Sequence, residues 1–258
     1  MKNLTAGILI IGNEIVDGIV LDTNGNWLAK MLRAFGVHVK EFMTIRDEID
    51  EISKAIRRMI EDGCDLIITS GGLGPTHDDK TLQGVAKAFN LKLALNMDAL
   101  KIIERQYRYF YEKGYVKSPE ITEPRKKMAI LPEGAKPLDN RVGGAPGVLL
   151  ETDNCVVISL PGVPRELKWI FENEVVPWLK ERVKAAFYEE IFEVSAIDET
   201  TLSPFIDEVM REVPGVYIKS MPEVGKIRVW ISASSEVLED AKEKVKKAIE
   251  LLEKKLST

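Results

Sequence analysis

Residues 65–79 read DLIITSGGLGPTHDD. A short unbroken apolar run, Leu66 to Ile68, gives way to three glycines, a proline and two adjacent aspartates. The run is too short for a core helix and lacks alternation, so it reads as a strand buried on both faces, as in a parallel sheet. The glycines have no Cβ, which lets the chain take positive φ and bring bare backbone close to a ligand. Helical spacing follows in Leu82, Val85, Ala86 and Phe89, and the open N–H groups and dipole at the start of such a helix favour an anion such as phosphate. A strand, a bare turn and a helix in this order form the repeating unit of an α/β sheet. The glycine spacing is neither GxGxxG nor a Walker loop, which would add Lys and Ser/Thr.

The same alternation extends upstream. AGILIIG (6–12) is another buried strand, and NGNWLAKMLRAFG (24–36) puts Trp27, Leu28, Met31, Leu32 and Phe35 on one helical face. VHVKEFMTI (37–45) alternates like a strand, and DEIDEISKAIRRMIEDG (47–63) carries the stripe Ile49, Ile52, Ile56 and Met59. A βαβαβ order implies a mostly parallel sheet covered on both faces, with ligands outside the carboxyl ends of its strands. Downstream, Leu100, Ile103, Tyr107 and Phe110 mark a longer helix. An irregular Gly- and Pro-rich stretch (123–147) precedes two strands, GVLLET and CVVISL, and a helix with a proline break at VVPWLKERVKAAF. From residue 188 the pattern becomes βαββα. The expected fold is α/β, a three-layer αβα sandwich over residues 1–187, followed by a small α+β domain over 188–258.

Composition bounds the function. The 258 residues are 45% apolar and 30% charged, which excludes extended disorder. No apolar run is long enough to span a bilayer, and the amino terminus runs directly into a strand without a cleavage region, so a cytoplasmic protein with no membrane partner is expected. A net charge of -5 gives no general attraction to nucleic acid. An anionic ligand therefore needs local donors or a metal. Cys64 and Cys155 each open an apolar run and read as small buried hydrophobes; with two histidines and no close pair they make no zinc site. The density of charge suits a heat-adapted protein.

Candidate site residues cluster at the strand ends. Asp78 and Asp79 read as a helix cap and a first-turn acid, as ligands of a hard cation bridging phosphates, or as both at once. His77 reads as a solvent-facing turn residue. Glu14 and Asp17, in GNEIVDG, serve a ligand, a metal or loop solvation, while Asp22, Asn24 and Asp47 have capping as their default role. Arg125, Lys126, Lys127 and Arg141 lie on the irregular stretch, where they either neutralise a diphosphate or form a solvated basic face.

GNEIVDG, DTN, SGGLGPTHDDKT, KKMAILPEGAKPLDNRVGGAPG and LPGVPREL, in this order over residues 4 to 180, resemble the amino-terminal part of the CinA proteins, within the molybdopterin-binding fold shared with MogA, MoaB and MoeA. The carboxy-terminal βαββα set resembles the small KH-type domain of CinA proteins, although it lacks the GxxG loop of RNA-binding KH domains. The resemblance implies divalent-metal-dependent cleavage of ADP-ribose to AMP and ribose 5-phosphate, with Mg²⁺, Mn²⁺ or Co²⁺, and a homodimer. In the molybdopterin branch the turn reads GGTG followed by an Arg-Asp pair; here Leu73 and Asp78 replace the Thr and the Arg. The functional aspartates of the family fall on Asp79 and Asp47, which makes them the catalytic candidates, with Glu14, Asp47, Asp78 and Asp79 as metal candidates. Positions nominated to contact the ligand within the motifs are Gly12, Asn24, Ser70, Gly71, Gly72, Leu73, Gly74, Pro75, Thr76, Thr81, Lys127, Asn140, Gly144, Pro161, Gly162 and Pro164. The expected partner is a small nucleotide of ADP-ribose type. Molybdopterin binding or adenylyl transfer is the alternative, and a non-catalytic nucleotide module is a third reading. Longer CinA proteins carry a nicotinamide mononucleotide deamidase domain; this chain ends before one fits, so deamidation is not expected.

Overall fold

A computed structural model of the protein describes residues 4–183, 186–195 and 198–256. Two compact units are distinguished, one of residues 1–32 and 38–182, the other of residues 33–37 and 183–258.

In the first unit, β1 (Thr5–Ile11) leads through a short helix, α1 (Asn13–Val16), to α2 (Asn24–Ala34). Then come β2 (His38–Ile45), α3 (Ile49–Glu61), β3 (Leu66–Ser70) and α4 (Thr81–Ala88). β4 (Leu93–Leu95), α5 (Met97–Glu112), α6 (Glu123–Lys127), β5 (Ile130–Pro132) and β6 (Lys136–Leu138) follow. β7 (Gly147–Glu151), β8 (Val156–Leu160), α7 (Pro164–Ile170) and α8 (Val176–Arg182) complete the unit. The six-stranded sheet has the order β2-β1-β3-β8-β7-β6. Its first four strands are parallel, in the registers Ile8↔Phe42, Ile8↔Ile68 and Thr69↔Ser159, whereas β7 and β6 run antiparallel.

The expected mostly parallel sheet is therefore present, and the pleat explains its two covers. Leu9, Ile11, Ile67 and Val157 share a core with Ile52, Ile56 and Met59 of α3, Val85 of α4 and Ile103 of α5. Alternation turns Ile8, Ile10 and Ile68 to the opposite face. Leu28 and Leu32 of α2 and Leu167, Ile170 and Leu179 of α7 and α8 are fully buried there, and Trp27 meets Phe171 edge-on at 5.2 Å. The proline break takes the form of a π-helical turn, Phe171–Val175, between α7 and α8. It precedes Pro177, which has no amide to continue an α-helical ladder. The irregular stretch holds more structure than its sequence suggests: β5 pairs antiparallel with β4, and β6 with β7. Three-residue strands such as these are too short to show a period.

In the second unit, β9 (Ala186–Val194), α9 (Glu199–Glu212), β10 (Val216–Glu223), β11 (Lys226–Ser235) and α10 (Leu238–Leu256) follow the βαββα order. The sheet is antiparallel, β10-β11-β9, and Val229 and Ile231 bury one face against Leu202, Ile206, Val245 and Leu252. No helix among the described residues is long and apolar enough to cross a membrane.

Candidate functional site

A cleft of about 670 Å³ opens at the carboxyl ends of β1, β3 and β8, where a parallel sheet leaves room for a ligand. Its centre is the glycine turn after β3. Gly71 lies at φ +108°, with its Cα so close to Ile11 that a Cβ would stand 2.0 Å from that residue's carbonyl oxygen. Gly72, at φ +64°, leaves room for the Thr81 hydroxyl and the Asp47 carboxylate. A Cβ at either position would collide with these neighbours, so the bare backbone is a steric requirement of the turn.

The amides of the turn divide into two sets. Gly71 N–H donates to Leu160 O at 3.0 Å, and Thr76 N–H donates to Asp79 Oδ2 at 2.8 Å. Those of Gly72, Leu73 and Gly74 donate to no other described residue. The amide cradle expected over 71–76 is thus narrower, because its two ends are used to hold the turn.

Asp47 is only 7% exposed and does not cap α3, the role its position suggested. Its own N–H donates to Asn13 Oδ1 at 3.4 Å, and its Oδ1 accepts Lys80 N–H at 3.1 Å, at the start of α4. The anion attracted to that helix end is therefore this carboxylate, coming from the end of β2. Burial pushes its pKa up to about 6, and the charges of Asp79 and Asp78 add to the rise against the opposing Lys80 N–H and ammonium. Asp78 and Asp79 do not cap α4 either. α4 starts at Thr81, and the Thr76 hydroxyl lies within hydrogen-bond reach of both carboxylates, at 2.5 Å for Asp79. That hydroxyl holds the pKa of exposed Asp78 below the usual value. His77 is exposed as expected. Glu14, on α1, lays its carboxylate over Gly12, whereas Asp17 is committed to Arg46.

Several nominated residues turn out to be framework. Thr81 is fully buried and donates its hydroxyl to Gly71 O at 2.9 Å, bracing the turn out of a ligand's reach. Asn140 is also fully buried: it accepts from Val142 and Gly143 N–H and donates to Ala145 O and Glu166 Oε2. Lys127 donates to Asp79 O at 2.8 Å and to Thr76 O, so its charge fastens the loop that carries the aspartates. Asp22 accepts Gly25 N–H at 2.9 Å and caps α2 as expected. Asn24, the first residue of α2 and 8% exposed, does not cap it: its Oδ1 accepts no hydrogen bond from a described residue, while its amide donates to Ser70 Oγ at 3.1 Å and Gly162 O at 2.7 Å, tying the ends of β3 and β8 together.

Gly12, Asn24, Ser70, Leu73, Pro75, Gly144, Pro161, Gly162 and Pro164 all line the cleft, but Arg125, Lys126, Lys127 and Arg141 do not. Arg125 stacks on Tyr107 and donates to Ser118 and Glu120 carbonyls, Lys126 faces Glu123, and Arg141 pairs with Asp139. No lysine or arginine lines the cleft among the described residues, although Glu14, Asp22, Asp47, Asp78, Asp79 and Glu166 do.

Tyr107, Met128, Ala145 and Glu166 also line the cleft and were not nominated from the sequence. Glu166 stood within the LPGVPREL motif, so a signal was present. Tyr107 gave only helical spacing, which points a side chain inward without saying whether core or cleft receives it. Burial raises the pKa of Glu166, opposed by its hydrogen bond from Asn140 and by the Arg165 charge.

A family model described as "Probable molybdopterin binding domain" matches residues 7–181. A protein of Sulfurisphaera tokodaii is 38% identical over 252 residues, covering 96% of this chain and 93% of its own. One from Pyrobaculum arsenaticum is 41% identical over 255 residues, with 96% and 92% covered. Among solved structures, the CinA protein of Thermoplasma acidophilum, whose function is given as unknown, superposes with a TM-score of 0.60 at 35% identity, covering 67% of this chain and 98% of its own.

Proposed function

The chain belongs to the molybdopterin-binding domain family, and we propose that it acts there as a divalent-metal-dependent nucleotide pyrophosphatase, hydrolysing ADP-ribose or a related diphosphate to AMP and a sugar phosphate. The observation that carries this reading is the imbalance of the cleft. Gly72, Leu73 and Gly74, whose amides have no partner among the described residues, line a volume bordered by carboxylates and by no basic side chain among the described residues. A diphosphate brought there needs a counter-charge, and hard oxygen donors are what Mg²⁺, Mn²⁺ or Co²⁺ take.

The residues fit such an ion. Asp47 and Asp79 are close enough for the charge of one to raise the pKa of the other, the mutual repulsion that a cation relieves. No cluster of three or more His, Cys, Asp or Glu among the described residues forms a ready cage, so an ion held here would need ligand oxygens besides those of the chain, as is common for Mg²⁺. Asp47 and Asp79 are the residues that would hold the ion, with Glu14 or Asp78 as further candidates. When bound, the ion supplies positive charge and Lewis acidity to the diphosphate.

The chain's own contributions are three. The Gly72–Gly74 amides donate to phosphate oxygens, and their fixed positions make them worth more as charge develops. Lys127 keeps the aspartate loop in place. Asp47, whose pKa burial and the Asp79 charge push up to about 6 in the metal-free protein, brings the buried negative charge that would fix the ion beside the turn. Water adds across one P–O bond of the anhydride.

The test is a panel of nucleotide diphosphates with each of the three metals, followed by product identification. AMP and ribose 5-phosphate should form from ADP-ribose, and Asp79→Asn should abolish turnover with the fold intact. Turnover near the parent rate in that variant removes Asp79 from the mechanism. The family description and the apolar walls at the β8 end of the cleft favour a second reading, pterin binding with or without adenylyl transfer. Tight quenching of pterin fluorescence without ADP-ribose cleavage would decide for it.

A further inference from the structure

β4 and β5 form a ribbon separate from the six-stranded sheet. Leu93 stands opposite Pro132, Ala94 opposite Leu131 and Leu95 opposite Ile130. Glu133 N–H donates to Lys92 O at 2.9 Å and Asn96 N–H to Ala129 O at 2.8 Å, so the even-numbered residues of β4 bond towards β5. The N–H and C=O groups of Leu93 and Leu95 therefore point off the outer edge. They make no bond outside the ribbon among the described residues, and all three residues of β4 are exposed. The pleat leaves this ribbon apolar on both faces. Leu131 turns into the core, whereas Leu93, Leu95 and Ile130 share the outward face. With Met97 these three stand between 36% and 58% exposed, on a face that is ordinarily polar in an antiparallel ribbon.

Leu93 and Ile130 also border a hollow of about 60 Å³, with Leu73, Leu82 and Met128 as its other apolar walls. A water needs roughly 10–15 Å³ and a cavity of about 150 Å³ takes benzene, so this one suits a single branched aliphatic side chain. The glycine turn belongs to this hollow as well as to the cleft, because Gly72, Leu73, Gly74 and Asp79 line both. Area decides the kind of partner. A stable interface covers about 800 Å² on each side. A three-residue edge with four partly exposed side chains offers a fraction of that and does not by itself hold two folded copies together. It matches an extended segment, which takes affinity from main-chain bonds and specificity from a pocket for an alternate side chain.

We infer that β4 is a docking edge for an extended segment of another protein, which adds a strand beside Leu93–Leu95 and places one Leu, Ile, Val or Met side chain in the hollow. The added residue opposite Leu93 shares its face and lies within cross-strand reach, which brings that side chain to the hollow Leu93 borders. Leu93 and Leu95 each offer one donor and one acceptor to the added strand. Because the turn walls both hollow and cleft, filling the hollow bears on what a ligand in the cleft meets. That coupling rests on the reading that phosphate sits at the turn; the docking does not.

The test begins with a phage-displayed library of random decapeptides panned on the immobilised full chain, with Leu95→Lys for counter-selection. Recovered peptides should carry an aliphatic residue at one fixed position. The most enriched of them is synthesised and titrated into the chain by calorimetry. Alanine at its aliphatic position should weaken binding about tenfold or more. N-methylation of one alternate set of its backbone amides should do the same, whereas N-methylation of the other set should cost less than about threefold, since only one set faces β4. Bound peptide should also slow hydrogen exchange of the Leu93 and Leu95 amides. Leu95→Lys should melt within a few degrees of the parent and lose the peptide; should it not fold, the two methylated peptides decide on the parent alone. Saturating peptide should change the affinity for methylenediphosphonate with Mn²⁺ by about threefold or more, and an unchanged affinity overturns the coupling. Docking and coupling without ADP-ribose hydrolysis removes the proposed activity and leaves the docking edge. No enrichment over the counter-selected pool, equal losses from the two methylated sets, protection away from β4, or self-association of the parent that Leu95→Lys abolishes overturns the inference, the last by making a second copy the occupant.

Discussion

Asp47→Asn should make the protein more stable while removing its activity. Burial of the carboxyl pushes its pKa from 3.8 up to about 6 on folding. At about 1.4 kcal/mol per unit, the ionised group opposes folding by about 3 kcal/mol at pH 7.5. The sign follows from proton binding. Between the two pKa values the folded state holds more protons than the unfolded chain, so stability falls as pH rises from about 4 to about 6 and is level beyond. Below that window both states are protonated and the penalty vanishes; at pH 4.5 about 1 kcal/mol of it remains. Asparagine keeps an acceptor for Lys80 N–H, the one hydrogen bond the side chain makes among the described residues, and carries no charge.

Guanidinium unfolding in chelator, at pH 7.5 and pH 4.5, checks this. The variant should exceed the parent by about 3 kcal/mol at the higher pH and by about 1 kcal/mol at the lower. Other titrating groups are common to both proteins, so the change of about 2 kcal/mol in the difference belongs to Asp47 and its coupling to Asp78, Asp79 and Lys80. A difference that does not vary with pH, or a variant less stable than the parent at pH 7.5, refutes the reasoning. Millimolar Mn²⁺ should then raise the parent's midpoint and leave the variant's nearly unmoved, because a ligand stabilises only the state that binds it.

Gly71→Ala should cost more than about 3 kcal/mol or prevent accumulation of folded protein, since its Cβ meets a backbone carbonyl at 2.0 Å that no rotamer can relieve. Gly18→Ala, at φ +71° with no atom within 4 Å, is the control and should lose only about 1 kcal/mol in the same denaturation assay. Lys127→Met should lower stability by about 1–2 kcal/mol and speed hydrogen exchange of the 76–80 amides, because the ammonium bonds to Asp79 O and Thr76 O disappear; unchanged exchange would show that the ammonium does not fasten the loop. Burial pushes the thiols of Cys64 and Cys155 up to about 11 and about 12. Neither should react with an aromatic disulfide reagent at pH 8 until denaturant is added, and rapid reaction of the native protein would contradict their burial.

Periodicity carried most of the sheet. Ile52, Ile56 and Met59 had to share a face of α3, and AGILII had to be a central strand, because only one arrangement of each run hides its apolar atoms. β4 and β5 were hidden for the opposite reason: in strands of three residues, pairing depends on a partner far along the chain. The location of the cleft was legible, since glycines directly after a buried strand bare the backbone at the carboxyl edge of the sheet, where side chains would otherwise fill the space. The division of labour inside it was not. Thr81, Asn140 and Lys127 are polar residues in loop motifs, and such a residue is needed equally where a backbone must be braced and where a ligand must be held. Only the distances separate the two uses. Asp47 and Lys80 are 33 positions apart, so no local pattern announces that one caps the other's helix.

That division of labour explains why the cleft is so acidic. Once the turn has taken Thr81, Lys127 and two of its own amides to hold its shape, the charged side chains left lining the volume are carboxylates, beside a turn with three amides unpartnered among the described residues. Negative charge crowded into a partly buried site is unfavourable even with the Lys80 ammonium nearby, as the pKa of Asp47, raised by burial and by the charges of Asp79 and Asp78, records. A fold that keeps such a site gains nothing from it in stability, so its acids are best explained by what arrives with the ligand. A nucleotide diphosphate alone would add to the repulsion, whereas the same diphosphate with a divalent ion brings the missing charge and uses the open amides. Affinity for the diphosphate should therefore depend on the metal far more steeply than affinity for the uncharged nucleoside, which brings no charge to the carboxylates.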